Sequence, residues 1–326
     1  RVIVYLDDLL ILAESYVQCA QDTQDVVTLL TYLGFVISSK EQVKLIPSQR
    51  QVWCGAEICS LTMIFFLPKQ KTKDMKRLFR STAKAVRAGK RLILRKWAQV
   101  LGVMRATMFA VLPALLWSQG IRRFVNSGIS ADKACWNQLM PMPPNEVLEN
   151  LDVWVSKRFD EFNGRSIRPL PVDIQTDSDA SGTIGGGMVM RSPQQLEARW
   201  HWLPHEMKHH INWKELQTHL QGLQALDLEA PGLLLNAVIR NRTDNSVSMS
   251  YVNRQGGRVP LLSLAAEALW KWLLDRGLVI RDDFVAGVQN QLADDASRWF
   301  LDLSEWMLKP TLFQRLHRST RWGPFS

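Results

Sequence analysis

Six carboxylates in this chain stand where acidic side chains could do metal-dependent phosphoryl chemistry. Asp7 and Asp8 lie in the run Val2-Ile3-Val4-Tyr5-Leu6-Asp7-Asp8-Leu9-Leu10-Ile11-Leu12, where two apolar stretches meet at an acidic turn. The pattern reads as a β-hairpin whose tip lifts two carboxylates that can share a divalent metal ion. It is half a site: such chemistry needs a further carboxylate from another strand, none precedes Asp7, and the chain is expected to begin inside a catalytic domain. Far downstream, Asp179, Glu215, Asp244 and Asp294 each fall at the end or edge of an expected element. Hard oxygen ligands suit Mg²⁺, and two such ions about 4 Å apart hold the attacking water and the leaving 3′-oxygen of a phosphodiester cleavage. Each acid also has a plainer reading, Asp244 and Asp294 as helix caps and Glu215 as a first-turn dipole residue. Asp177 competes with Asp179, which lies nearer the glycines Gly185, Gly186 and Gly187, and Asp295 competes with Asp294.

Positioning the four downstream acids requires a sheet with helices packed on it. Val172 to Ala180 and Ile184 to Met190 read as a hairpin joined through Ser181-Gly182-Thr183, with Leu196 to Trp202 as a third strand. A helix follows from Trp213 to Leu226, then a strand from Val238 to Thr243, helices after Asn245 and from Leu261 to Leu274, a strand from Leu278 to Phe284, and a last helix opened by Asp294. This order predicts a mixed α/β domain. Upstream, Met75, Leu78, Phe79, Thr82 and Val86 recur at helical spacing, a second helix is expected from about Leu94 to Trp117, and a third from Asn145 to Phe162 follows Pro141, Pro143 and Pro144. The paired prolines of Arg168-Pro169-Leu170-Pro171 mark the clearest boundary.

The chain has 326 residues, 46% of them apolar, enough for two or more domains with cores. Four scattered cysteines without a CxxC pair argue for reduced thiols and an intracellular setting, cytoplasmic or nuclear. The apolar run from Met108 to Trp117 contains Pro113 and is too short to span a bilayer, and no signal peptide opens the chain, so no membrane partner is expected. The net charge of +9 is concentrated: Lys69 to Arg105 carries thirteen basic residues against Asp74, a charge of +12, leaving −3 elsewhere. Lys69, Lys73, Lys76, Arg77, Arg80, Lys84, Arg87, Lys90 and Arg91 therefore make a basic helix face. A single-sign face points to a phosphate backbone, since ordinary solvated faces mix both signs.

Tyr5-Leu6-Asp7-Asp8 resembles the YxDD signature of reverse transcriptases. Leu33-Gly34-Phe35-Val36-Ile37-Ser38-Ser39-Lys40, Pro47-Ser48-Gln49, Trp53-Cys54-Gly55-Ala56-Glu57-Ile58 and Leu67-Pro68-Lys69 resemble the motifs that follow it in retrotransposon enzymes, in order. The acids Asp179, Glu215, Asp244 and Asp294 resemble the D-E-D-D set of RNase H. Ile211-Asn212-Trp213-Lys214-Glu215-Leu216, Thr243-Asp244-Asn245-Ser246, Tyr251-Val252-Asn253-Arg254-Gln255-Gly256-Gly257 and Glu305-Trp306-Met307-Leu308 resemble the corresponding region of DIRS-type retrotransposons, which integrate by tyrosine recombinase. The resemblance implies a multi-domain α+β chain: the C-terminal part of a reverse-transcriptase palm (1–68), a helical basic thumb (69–120), a connection (121–170), an RNase H-like domain (171–302) and a tail (303–326). It implies hydrolysis of RNA in RNA–DNA hybrids with two Mg²⁺ ions, or Mn²⁺ in their place, held by the four downstream acids. Asp7 and Asp8 would ligate metal for dNTP addition on a template-primer duplex only if the rest of the palm were supplied. One departure stands out: Phe284-Val285-Ala286-Gly287 replaces the usual His-Ile-Pro-Gly, so an acid-base histidine near the last helix is absent.

His205-Glu206-Met207-Lys208-His209 satisfies HExxH, which on a helix would present two histidines to zinc and a glutamate as general base for peptide hydrolysis. Pro204 before it and His210-Ile211-Asn212 after it read instead as a polar lead-in to the helix carrying Glu215. A non-catalytic remnant that binds nucleic acid through the basic segment is the other alternative.

Overall fold

The computed structural model describes residues 1–38, 44–129 and 135–298. Ser39 and Lys40 of the early motif and the tail with Glu305-Trp306-Met307-Leu308 lie outside the described residues. The mixed α+β chain divides into two compact units, one of Arg1–Val172 with Ser250–Arg281, the other of Asp173–Met249 with the described residues from Asp282 on. Among the described residues no helix is long and apolar enough to cross a membrane.

The first unit opens with the hairpin β1 (Val2–Tyr5) and β2 (Asp8–Ile11), in which Tyr5 pairs with Asp8 across a two-residue turn of Leu6 and Asp7. Leu6 takes φ 54°, the left-handed twist that two-residue hairpin turns demand. α1 (Tyr16–Tyr32) is capped by the Ser15 hydroxyl, which accepts from the Gln18 N–H, and buries none of its residues. Next come the antiparallel strands β3 (Arg50–Trp53), β4 (Ala56–Cys59) and β5 (Ile64–Phe66), then α2 (Lys69–Arg87), α3 (Leu94–Arg105), α4 (Gln119–Ser127), α5 (Asn145–Val155), α6 (Lys157–Phe162) and β6 (Arg165–Ser166). β6 returns to pair with β5, completing a four-stranded sheet.

The helix expected from Leu94 to Trp117 stops at Arg105. Pro113 lacks the N–H a helix needs there, and the chain continues through two short 3₁₀ turns into α4. The helix expected from Asn145 to Phe162 breaks at Ser156, whose ψ of 172° is extended. These breaks fold the helices back on one aromatic core. Trp154 lies edge-on to Phe79 at 5.9 Å and to Trp117 at 5.7 Å, with Phe159 against it.

The second unit contains β7 (Ile174–Ala180), β8 (Gly185–Ser192), β9 (Leu196–His201), α7 (Ile211–Glu229) and β10 (Val238–Thr243). After it α8 (Ser246–Asn253) and α9 (Pro260–Asp275) lead to β11 (Val279–Phe284) and α10 (Gln291–Arg298). The sheet order is β11-β10-β7-β8-β9; β7, β8 and β9 form an antiparallel meander, and β10 runs parallel to β7. This is the mixed α/β arrangement that the order of the elements predicted. In the first unit α9 buries Leu269, Trp270 and Leu273. Its Glu267 shares Arg123 with Glu146, and Gln255 accepts from the Leu116 N–H and donates to the Leu112 carbonyl, both at 2.9 Å.

Successive strand residues point to opposite faces, and two adjacent glycines of β8 let a helix close on each. A Cβ on Gly186 would sit 2.7 Å from the Thr218 hydroxyl of α7; one on Gly187 would sit 2.4 Å from the Ser297 nitrogen and 2.5 Å from the Ala296 carbonyl carbon of α10. The clash at Gly187 is with backbone, so Gly187→Ala forces α10 off the sheet. We expect it to cost about 2 to 3 kcal/mol, measured by chemical denaturation. Gly182→Ala, whose Cβ would meet nothing within 4 Å, should cost less. A Gly187→Ala protein as stable as wild type would contradict this account of α10.

Candidate metal centre

The parallel register of β7 and β10 pairs Asn241 with Thr176 and Arg242 with Asp177. Carried two residues further, it sets Asp244, just past β10, beside Asp179, at the roughly 4.8 Å spacing of neighbouring strands. α7 starts at a His210 cap, whose Nδ1 accepts from the Asn212 N–H at 3.2 Å, and its second turn delivers Glu215 from above. Carboxylate oxygens of Asp179, Glu215 and Asp244 all lie within 4.8 Å of one another. Asp179 and Glu215 are buried, whereas Asp244 reaches solvent.

Burial, reinforced by the charges of Asp179 and Asp244, pushes the Glu215 carboxyl well above the usual carboxylate range, against the Ala180 N–H that favours its charged form. Burial also raises Asp179; the Ser297 hydroxyl, donating at 2.5 Å, opposes it, and Asp244 and Asp294 add to it. Glu215 Oε2 is buried without a hydrogen-bond partner. A buried carboxylate with an unpaired oxygen, brought together with two further carboxylates, is costly without a cation. The donor set, oxygen only and anionic, fits a hard divalent ion such as Mg²⁺.

Asp294, in the first turn of α10, contributes its charge at Asp179 and pairs with Arg298 at 2.7 Å, but it stands outside the group of three. Asp295 is exposed. Asp177 is buried and held by Arg242 through two bonds of 2.7 and 2.6 Å, with Arg191 at 3.3 Å. Its charge is already matched, so the structure brings Asp179, and not Asp177, to Glu215 and Asp244. Where His-Ile-Pro-Gly was expected, Gly287 lets the loop approach Asp244: a Cβ there would lie 3.1 Å from Oδ2.

Two buried residues beside the acids were given no role by the sequence. Lys214, only 2% exposed, donates to the carbonyls of Gly182 and of Met207, the latter at 3.0 Å, tying the β7–β8 turn to the lead-in of α7. His219, one helical turn after Glu215, places Nδ1 2.7 Å from the Glu215 carbonyl and Nε2 2.7 Å from Asp282 Oδ2. Nδ1 faces the carbonyl acceptor, and Nε2 faces Asp282 with the Asn241 amide nitrogen 3.0 Å away. Burial opposes the charged ring, but Asp282 and these two bonds outweigh it and raise the His219 pKa. A helix spacing of four from Glu215 was the only available hint.

The HExxH segment forms no helix of useful length. Glu206–Lys208 is one 3₁₀ turn, and buried Glu206 accepts from the Leu203 N–H and from Gln221, both at 2.8 Å. His209 stacks on Trp213 with ring centroids 4.0 Å apart. Among the described residues, three-acid geometry suited to a metal occurs only at Asp179, Glu215 and Asp244.

In the first unit, Asp7 and Asp8 sit exposed at the hairpin tip, with Cys54 Sγ 4.0 Å from Asp8 Oδ2. The basic helix α2 buries Met75, Phe79, Thr82 and Val86 and turns Lys69, Lys73, Arg77, Arg80, Lys84 and Arg87 outward. Part of its charge is spent internally: Lys76 on Asp160 at 2.7 Å, Arg77 on Asp74 and Arg87 on Asp152. Arg91 donates to the Met140 and Leu139 carbonyls; Lys90 is exposed.

No protein-family model and no curated protein matches this chain. Among solved structures, it is similar to the foamy viral protease-reverse transcriptase in complex with an RNA/DNA hybrid, at 15% identity and TM-score 0.42, over 94% of this chain and 38% of that one. It is also similar to the N-terminal RNase H domain of a Mycobacterium tuberculosis protein (17% identity, TM-score 0.29, 38% of this chain and 92% of that one). RNase H1 of Halobacterium salinarum gives 14% identity and TM-score 0.29 over the same share of each. The chain spans about four-tenths of the foamy viral polypeptide.

The raised pKa values of Asp179 and Glu215 fix a sign. Through the window above the ordinary carboxylate pKa of about 4, the folded state holds protons that the unfolded state has lost, so stability of the metal-free protein falls as pH rises. Glu215→Gln should therefore raise the melting temperature in chelator at neutral pH and flatten that decline. Mg²⁺ should raise the melting temperature of wild type and not of the variant. Calorimetry across pH tests this; a metal-free variant that melts lower than wild type would contradict the electrostatic account.

Proposed function

We propose that this chain is the reverse transcriptase/RNase H region of a DIRS-type retrotransposon polyprotein and that its second unit hydrolyses the RNA strand of RNA–DNA hybrids. The observation that carries the reading is the meeting of Asp179, Glu215 and Asp244 within 4.8 Å, with a buried Glu215 oxygen left unpartnered. Asp294 is the fourth ligand in this reading, reaching the site from α10. Divalent metal, Mg²⁺ or Mn²⁺, would supply charge stabilisation for the attacking water and the leaving 3′-oxygen.

The protein's own part is placement. β7 and β10 hold Asp179 and Asp244 level by register, and α7 sets Glu215 at a fixed depth. Ser297 directs one Asp179 oxygen by hydrogen bonding, which leaves the other for ligation. Water attacks phosphorus, the bond to the 3′-oxygen breaks, and the products are a 5′-phosphate and a 3′-hydroxyl. With no histidine between His219 and His317 in the sequence, solvent takes the place of a side-chain proton carrier in this reading.

In the first unit, residues 1–68 are proposed as the end of a palm, 69–120 as a thumb and 121–170 as a connection, with 171–302 as the RNase H-like domain. Asp7 and Asp8 are proposed as metal ligands of a dNTP site. The exposed basic residues of α2 grip duplex backbone.

Two experiments decide between these assignments and their alternatives. Incubation of the full chain with labelled RNA–DNA hybrid and Mg²⁺ should cleave the RNA, and Asp244→Asn should slow cleavage on the order of a thousandfold, equivalent to about 4 kcal/mol. Cleavage at the wild-type rate in that variant would sink the assignment. Replacing Lys73 and Lys84 with Glu should weaken hybrid binding and reduce its salt dependence; binding insensitive to salt would contradict the role given to α2.

A further inference from the structure

One buried polar network touches every element that carries an acid of the site. His219 on α7 bonds the Glu215 carbonyl through Nδ1 and Asp282 of β11 through Nε2, each at 2.7 Å. Asn241 of β10, three residues before Asp244, donates to Asp282 Oδ1 at 3.2 Å and to the Ser178 hydroxyl of β7 at 3.0 Å. The Thr176 hydroxyl, also on β7, donates to Asn241 Oδ1 at 2.8 Å. Asn290, four residues before Asp294, donates to the Ser178 carbonyl at 3.0 Å. His219, Asn241, Thr176 and Ser178 are completely buried, and the Asp282 side chain is too.

Stability alone gives a poor reason for this arrangement. Replacing a buried ion pair by well-packed apolar residues is often neutral or stabilising. What the polar version supplies is direction: each bond fixes one element against another at a set distance and angle, which apolar contact does not. The bonds fall on the residues next to the acids, namely Ser178 beside Asp179 and the carbonyl of Glu215 itself. Supporting bonds of this kind set metal affinity by orienting the ligands.

Resting on the metal reading above, we propose that His219, held by Asp282 and Asn241, is a positioning residue that fixes Glu215 relative to Asp179 and Asp244 and so sets the affinity of the site for divalent metal. It touches neither substrate nor metal. The network acts through the helix backbone and the strand neighbours of the acids.

The test uses the full chain and Mn²⁺ as probe, with binding followed by calorimetry and electron paramagnetic resonance, and folding followed by thermal melting. The double variant His219→Met with Asp282→Leu should melt within a few degrees of wild type yet bind Mn²⁺ about 10- to 100-fold more weakly. Cleavage should recover toward the wild-type rate at saturating Mn²⁺, since the acids themselves remain. His219→Gln, which keeps a neutral donor of similar size but can satisfy only one of the two acceptors, should fall between and decides the matter if the double variant does not fold. Affinity within twofold of wild type in either folded variant overturns the positioning role alone. A wild-type chain that binds no Mn²⁺, and whose melting is indifferent to it, overturns the metal reading and this inference with it.

Discussion

The mutual repulsion of Asp179, Glu215 and Asp244 is the constraint around which the second unit is built. Three carboxylates within 4.8 Å, two of them buried, form an arrangement that a chain selected only for stability would avoid. The surrounding structure both enforces and moderates it. The Ser297 hydroxyl and the Ala180 N–H each favour the charged form of one acid, and Arg298 lends a positive charge at Asp179. Burial and mutual repulsion still push both carboxyls upward, so a divalent cation among the three would offset that repulsion.

Holding such a cluster requires stiffness, and the fold obtains it from close approach. The glycines of β8 bring α7 and α10 down on the two faces of the sheet, so that backbone is opposed to backbone at α10. Asp177 illustrates the same economy of charge. It shares the strand and the face of Asp179, two residues away, yet Arg242 and Arg191 occupy its oxygens. Two aspartates of identical chemistry thus take different roles because one is supplied with arginines and the other with carboxylates.

Much of this was legible from the residues in order. The turn residues Ser181-Gly182-Thr183 between strand-like runs gave the hairpin of the meander, and acids at element ends gave three carboxylates that the fold brings together, because both signals are local. The preference for Asp179 over Asp177 rested on nearby glycines, and its physical reason, the arginines on Asp177, lies on β8 and β10. The helix break at Ser156 could not be read because the apolar period continues through it, and the end of α3 at Arg105 was missed because apolar Met108 and Leu112 prolong the period beyond it. The basic face of α2 was visible, but the partners that consume part of it, Asp160 and Asp152, are far along the chain. His219 was invisible for the same reason: a lone histidine in an apolar helix declares nothing until Asn241 and Asp282 arrive from other strands. HExxH shows the opposite failure, a complete local pattern whose glutamate the fold uses to hold a turn.

The two acidic sites therefore differ in kind. Asp7 and Asp8 stand on a two-stranded ribbon with Val2, Ile3, Val4 and Tyr5 all exposed, beside a helix that buries nothing. An isolated ribbon of two strands is marginal in water. Asp179 and Glu215 are fixed by a five-stranded sheet, two helices and a continuous set of buried hydrogen bonds. Water screens the first pair and is excluded from the second, so equal charges acquire unequal energies. Preorganisation of that sort decides where chemistry can occur: a carboxylate that must be ordered at the moment of binding gives up affinity that one held in place by its fold retains. The sheet, and not the hairpin, is therefore where this chain holds acids in place before anything binds.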